Sequence, residues 1–171
     1  MNNKRKLEID EIINQFLTYS KTSMGQQHLR NLDIISSQLL LKRQLKRQQE
    51  ALDATIKQSA PSFYGITDLS EALNLVKKGG TLSIEELIAT SRFLHGQNSL
   101  VDYYKNRLVE MEELSDLFES LFVEKTLNKE IDRCFSIDGD VYDHASSELF
   151  RIRRQLSTIN NRIDKAINDF I

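Results

Sequence analysis

The C-terminal stretch carries the pattern that most limits what this chain can fold into. Leu149, Leu156, Ile163 and Phe170 stand seven residues apart, and Ile152, Ile159 and Ala166 fill the alternate positions of a heptad. A stripe of two apolar positions in seven belongs to a coiled-coil arm, because a helix lying on a globular core shows a wider apolar face. Six of the seven residues are large, and burying them at about 2 kcal/mol each is worth about 12 kcal/mol, comparable to the net stability of an ordinary domain. The seam is therefore expected to be covered. The helix is expected to start near Asp143, and no turn or returning helix follows it before Ile171. Cover can come from another part of the fold, from a second chain, or from a partner helix further along a longer polypeptide.

Helical patterns dominate the rest of the chain. Six Gly and one Pro among 171 residues, against roughly 12% in an average chain, argue against an all-β fold, long linkers and low-complexity tracts. Helices are expected over residues 8–19, over a short segment after Thr22 with Ser23 as N-cap, and over 33–58, the last about 39 Å long. The only Pro marks a loop over 59–67. A helix over 68–78 ends at Gly79-Gly80, a left-handed closing position. Ser83-Ile84-Glu85-Glu86, with Leu82 and Leu87 as a staple, fits a capping box and starts a helix expected to continue through Leu108 and Met111. Two shorter helices follow, one around Leu114–Leu121 and one over 126–134. Asp138-Gly139, between Phe135-Ser136-Ile137 and Asp140-Val141-Tyr142, has the form of a two-residue hairpin turn. The expected fold is all-α: a helical core over 1–142 with one short β-hairpin or turn, then a coiled-coil arm over 143–171.

Composition and motifs exclude several kinds of function. One Cys rules out a disulfide framework or a multi-thiolate zinc site. A formal charge of -2 does not suggest a chain dedicated to nucleic acid or membrane surfaces. No apolar run reaches a membrane span and the polar start lacks a signal-peptide core, so no membrane partner and a cytoplasmic location are expected. Cys134 suits a core position, and His28, His95 and His144 lack the spacing of a metal site. Lys77-Lys78-Gly79-Gly80-Thr81 follows a helix rather than a strand, which makes it a helix cap, not a phosphate loop. Asp138, Asp140 and Asp143 lack the remaining ligands of a calcium loop. Phe122-Val123-Glu124 reads as a core Phe beside solvated charge. Lys42, Arg43, Lys46 and Arg47, and the group Arg151, Arg153 and Arg154, are candidates for phosphate contact, weighed against the ordinary solvated face of a helix. No catalytic, cofactor or metal site is expected.

With these segments placed, a resemblance emerges. Gly65-Ile66-Thr67-Asp68-Leu69 and Lys78-Gly79-Gly80-Thr81-Leu82-Ser83-Ile84-Glu85-Glu86-Leu87 resemble the N-terminal region of the bacterial MutS-two family. So does the later block of Ile131-Asp132-Arg133-Cys134-Phe135, Asp138-Gly139-Asp140-Val141, Asp143, Ala145-Ser146, Leu149 and Ile152-Arg153, and the match runs in register from about Leu7 to Ile171. The resemblance implies the N-terminal part of a longer protein that continues with the rest of a lever coiled coil, a clamp, an ABC-type ATPase and a nuclease domain. It implies ATP and Mg for that protein but not for this segment, which has no Walker loop. It also implies a homodimer, DNA or the ribosome as client, and roles in suppressing homologous recombination and rescuing collided ribosomes. On this view the segment couples ATPase to clamp. Leu149, Ile152, Leu156, Ile159, Ile163 and Phe170 form the seam, while Asp138, Gly139, Asp143 and Ser146 set the arm's exit. The alternative is a self-contained module that dimerises through Leu149, Leu156 and Ile163.

Overall fold

The structure, a computed structural model, describes residues 8–169. Leu7, the seam residue Phe170 and Ile171 lie outside the described residues. Among the described residues eight α-helices follow one another: α1 (Ile9–Leu17), α2 (Ser23–Arg30), α3 (Gln38–Gln58), α4 (Ser70–Lys77), α5 (Ile84–Lys105), α6 (Ser115–Glu119), α7 (Lys125–Cys134) and α8 (Ser147–Asn168), with a 3-10 turn at Asp143–Ala145 before α8. Among the described residues there is no strand, so the all-α expectation holds.

The core sits where α5 and α7 cross. Ile88, Leu100 and Val101 of α5 and Ile131 of α7 are buried there, with Met111, Ala54 of α3 and Ala72 of α4 completing the apolar interior. The α5 N-terminus forms as its sequence dictates. Ser83 accepts the Glu86 N–H at 3.2 Å, and the Glu86 carboxylate accepts the Ser83 N–H at 2.7 Å, closing a capping box. Gly79, at φ +80, takes the left-handed position after α4.

Several boundaries differ from the sequence expectations. The N-cap of α2 is Thr22, not Ser23, because its hydroxyl reaches the Gly25 N–H at 3.0 Å. Helix α3 starts at Gln38 behind the cap Ser37, and residues 33–37 are non-helical, so it spans about 31 Å rather than 39 Å. The 33–37 stretch holds two serines and an aspartate whose side chains compete for backbone partners, which favours caps over helix interior. Helix α4 is shorter than expected, and α5 ends at Lys105 short of Leu108 and Met111.

Phe122 is not a core residue: it is 71% exposed. Leu121 and Val123 are half-buried, and Phe122 lies exposed between them in the irregular segment that follows α6. Glu124 is the N-cap of α7, its carboxylate accepting the Thr126 N–H at 2.7 Å and the Leu127 N–H at 3.2 Å. Those two bonds hold its carboxyl below the usual range.

The Asp-Gly turn is real but longer than two residues. A single antiparallel bridge joins Phe135 to Val141. Ser136 N–H donates to Asp140 O at 2.8 Å and Gly139 N–H to Ser136 O at 3.2 Å, leaving a three-residue loop with Gly139 at φ +97. A type I turn followed by a left-handed glycine is the usual form of such a loop.

Candidate functional site

The root of α8 is built by two arginines. The α8 N-cap is Ser146, whose hydroxyl accepts the Leu149 N–H at 3.1 Å. The helix thus begins at Ser147 and not at Asp143, which belongs to the preceding 3-10 turn. Arg133 of α7 donates to His144 O at 3.2 Å and Ala145 O at 3.0 Å, while Glu130 at 2.9 Å holds its guanidinium. Arg153 of α8 reaches back to Val141 O at 2.8 Å and pairs with Asp143. The turn is therefore clasped from both sides, and with it the exit direction of α8. His144 stacks on Tyr142, with ring centroids 5.1 Å apart, and Cys134 is half-buried beside Ala145 O.

Beyond the root the seam is open. Ile152, Leu156, Ile159 and Ile163 are between 41% and 54% exposed, and Leu149, nearest the root, is half-buried. None of the apolar residues of α8 is buried. Cover from another part of the described fold is thereby ruled out for these four residues. At 22 residues α8 is about 33 Å long, against the 43 Å expected for the whole of 143–171.

The first basic cluster has a structural occupation. Arg43 pairs with Glu113 at 2.8 Å and Asp116 at 3.1 Å, and Lys46 with Glu112 at 2.5 Å. Arg47 holds both oxygens of Asp116, at 2.9 Å and 2.7 Å, and donates to Glu113 O at 2.8 Å. Glu50 completes the arrangement by accepting the Glu113 N–H at 3.0 Å and the Leu114 N–H at 3.1 Å ahead of α6. This polar clasp ties α3 to residues 112–116, while Leu41, Leu45, Leu52 and Ile56 of the same helix are exposed. Lys42 stays at the surface.

The clasp has a pH window. Lys46 lowers the Glu112 carboxyl by hydrogen bond and charge, and Glu112 raises the Lys46 ammonium by the same bond. A depressed carboxyl contributes stability above its unfolded value, about 4.3, that is lost as pH falls through the folded value. A raised lysine contributes below its unfolded value and loses that contribution as pH rises through the folded one. Between those limits the clasp is closed. From about pH 6 to about pH 3 the thermal midpoint should fall, and the fall should be smaller in the variant R43Q/K46Q/R47Q. Equal pH slopes in circular-dichroism melts would refute this account.

One polar cluster escaped the sequence reading. Ser91, 6% exposed, lies 2.8 Å from Asn128 Oδ1 and 2.5 Å from Asp132 Oδ1, and His95 Nε2 lies 2.8 Å from Asp132 Oδ2. The grouping is not a nucleophilic triad. Asp132 stands between the hydroxyl and the imidazole, so His95 does not touch Ser91 and the serine–histidine contact of a triad is missing. It is a joint between α5 and α7, and its signal was two i, i+4 polar pairs, Ser91/His95 and Asn128/Asp132, on facing helices.

The second basic group is divided. Arg153 serves the root, and Arg151 pairs with Glu148 at 2.6 Å. Arg154 has no carboxylate partner among the described residues. Arg162 and Lys165, not singled out in the sequence, share that condition and lie on the same side of α8.

No protein-family model matches the chain. It is similar to the endonuclease MutS2 of Clostridium beijerinckii, 28% identical over 169 residues and 98% of the chain. It is 29% identical over 169 residues to the endonuclease MutS2 of Clostridium perfringens, again across 98% of the chain. The endonuclease MutS2 of Halothermothrix orenii is 29% identical over 173 residues, covering 96% of the chain. In each case the chain spans 22% of the relative's length. No helix among the described residues is long and apolar enough to cross a membrane.

Proposed function

We propose that the chain, similar along nearly its whole length to MutS2 endonucleases, is a segment of that family and supplies the core and first lever arm linking ATPase to clamp in a longer protein. The observation that carries this reading is the open seam of Ile152, Leu156, Ile159 and Ile163 on a helix rigidly rooted at one end. A stiff arm can transmit rotation to a distant part, which a flexible tether cannot. A returning helix of the same polypeptide covers the seam in this proposal. The core is assigned to 1–142 and the arm to 143–171. ATP and Mg, the endonuclease activity, the homodimer, and DNA or the ribosome as client belong to the longer protein. Suppression of recombination and rescue of collided ribosomes are then outputs of the whole machine.

The test is Ile159→Asp in the longer protein. A buried carboxylate at the seam centre opens the coiled coil, so basal ATP hydrolysis should persist while its response to DNA or ribosomes is lost. Sedimentation of the 171-residue chain with and without the same change separates the rival. If coupling survives, and the isolated chain is a dimer that the change abolishes, the segment is a dimerisation module instead.

A further inference from the structure

Helix α8 presents a second stripe that the seam does not use. At about 100° per residue, Arg151, Arg154, Arg162 and Lys165 fall within an arc of about 80°, and its centre lies about 130° round the helix from that of Ile152, Leu156, Ile159 and Ile163. A helix packed on the seam therefore leaves the stripe in solvent. Thr158 falls between the cations and Gln155 lies about 20° beside the arc, which holds no acidic or apolar residue of α8 itself; the C-cap Asp169 falls on it one turn past Lys165.

The side chains of Arg154, Arg162 and Lys165 have no carboxylate partner among the described residues, whereas Arg43, Lys46, Arg47, Arg133, Arg151 and Arg153 all have one. Three cations are thus left unneutralised on a face that the seam leaves accessible.

We propose that this stripe is a binding surface for the phosphodiester backbone of a nucleic-acid duplex. The chemistry favours that occupant over an acidic protein. A protein interface needs apolar or aromatic anchors at its centre, whereas Phe150 and Ile159 only flank the cations here, outside the arc. Arginine forks match phosphate oxygens, and Gln and Thr are ordinary phosphate-contacting side chains. From Arg151 to Lys165 the stripe runs about 21 Å, which spans about six base pairs of duplex at 3.4 Å each. Contact of this kind is sequence-independent. The inference rests on the reading that the longer protein acts on nucleic acid, and it places one contact surface on the outer side of the arm.

The experiment is fluorescence anisotropy of the 171-residue chain with a labelled 20-base-pair DNA duplex and an RNA duplex of equal length. Three to four neutralised phosphates predict a slope of log K against log salt of about -3, or about 60-fold weaker binding between about 50 and 200 mM KCl. The variant R154E/R162E/K165E should lose at least about tenfold in affinity. K42E/K105E/K129E, with the same change in net charge, should stay within about twofold. R154Q/R162Q/K165Q repeats the test should charge reversal disturb α8, whose helicity circular dichroism checks. Comparable loss in the stripe and control variants, no binding at low salt, or equal affinity for poly-glutamate overturns the proposal. Such a failure leaves the Ile159→Asp coupling test untouched, so the two readings can fail separately. Preference for the DNA or the RNA duplex identifies the source of the phosphates.

Discussion

Gly65→Ala is expected to destabilise the chain by about 3 kcal/mol. Ile66 N–H donates to Phe63 O at 3.1 Å, which places Gly65 third in the turn, at φ +83. That sign costs a side-chain-bearing residue about 1–2 kcal/mol. The added Cβ would also stand 2.3 Å from the backbone oxygen of Arg92 on α5, a contact that neither side can relieve by a rotamer change. Forced overpacking of that kind adds about 1–3 kcal/mol. Gly96 faces the same loop from α5, and its Cβ would lie 2.5 Å from Tyr64 O. Gly96→Ala should therefore also destabilise, although in an open helix the change gains about 1 kcal/mol. Urea unfolding followed by circular dichroism reads both. A rise in midpoint for either variant would mean that the loop does not press on α5 as described.

The second large effect lies at the crossing of α5 and α7. Ile131, 5% exposed, fills the space beside Ile88. Ile131→Ala removes buried methylenes and leaves a cavity, and a loss of about 3 kcal/mol is expected. The neighbouring Ser91–Asp132 bond limits how far the helices can close over the gap, because their separation is fixed by a direct polar contact. Ile131→Val should cost about 1 kcal/mol. If the two variants unfold at the same urea concentration, Ile131 is not a core residue and the crossing is looser than its geometry indicates.

Much of this architecture is legible without coordinates where one residue type meets one local requirement. Ser83 and Glu86 satisfy each other's backbone donors within four residues, so no tertiary information is needed to place the α5 N-terminus. The heptad of α8 is equally local. Legibility fails where distant charges decide. Arg43 and Arg47 carry no mark that distinguishes a clasp from a phosphate contact, because Glu113 and Asp116 lie about seventy positions away. Phe122 has the composition of a core residue, and only the end of α6 just before it turns the side chain outward. Arg162 and Lys165 stand apart in sequence, and only the winding of the helix brings them to the side of Arg151 and Arg154.

The root of α8 also has a mechanical meaning. Arg153 sits about 9 Å along a helix about 33 Å long, and its bonds to Val141 O and Asp143 are the outermost ties of α8 to the turn that precedes it. For a transverse force at the far end, torque balance about Ser146 places a load on those ties more than three times the applied one. Motion at the ties is smaller than motion at the tip by the same ratio. A single guanidinium thus sets how much bending the arm tolerates before its base yields.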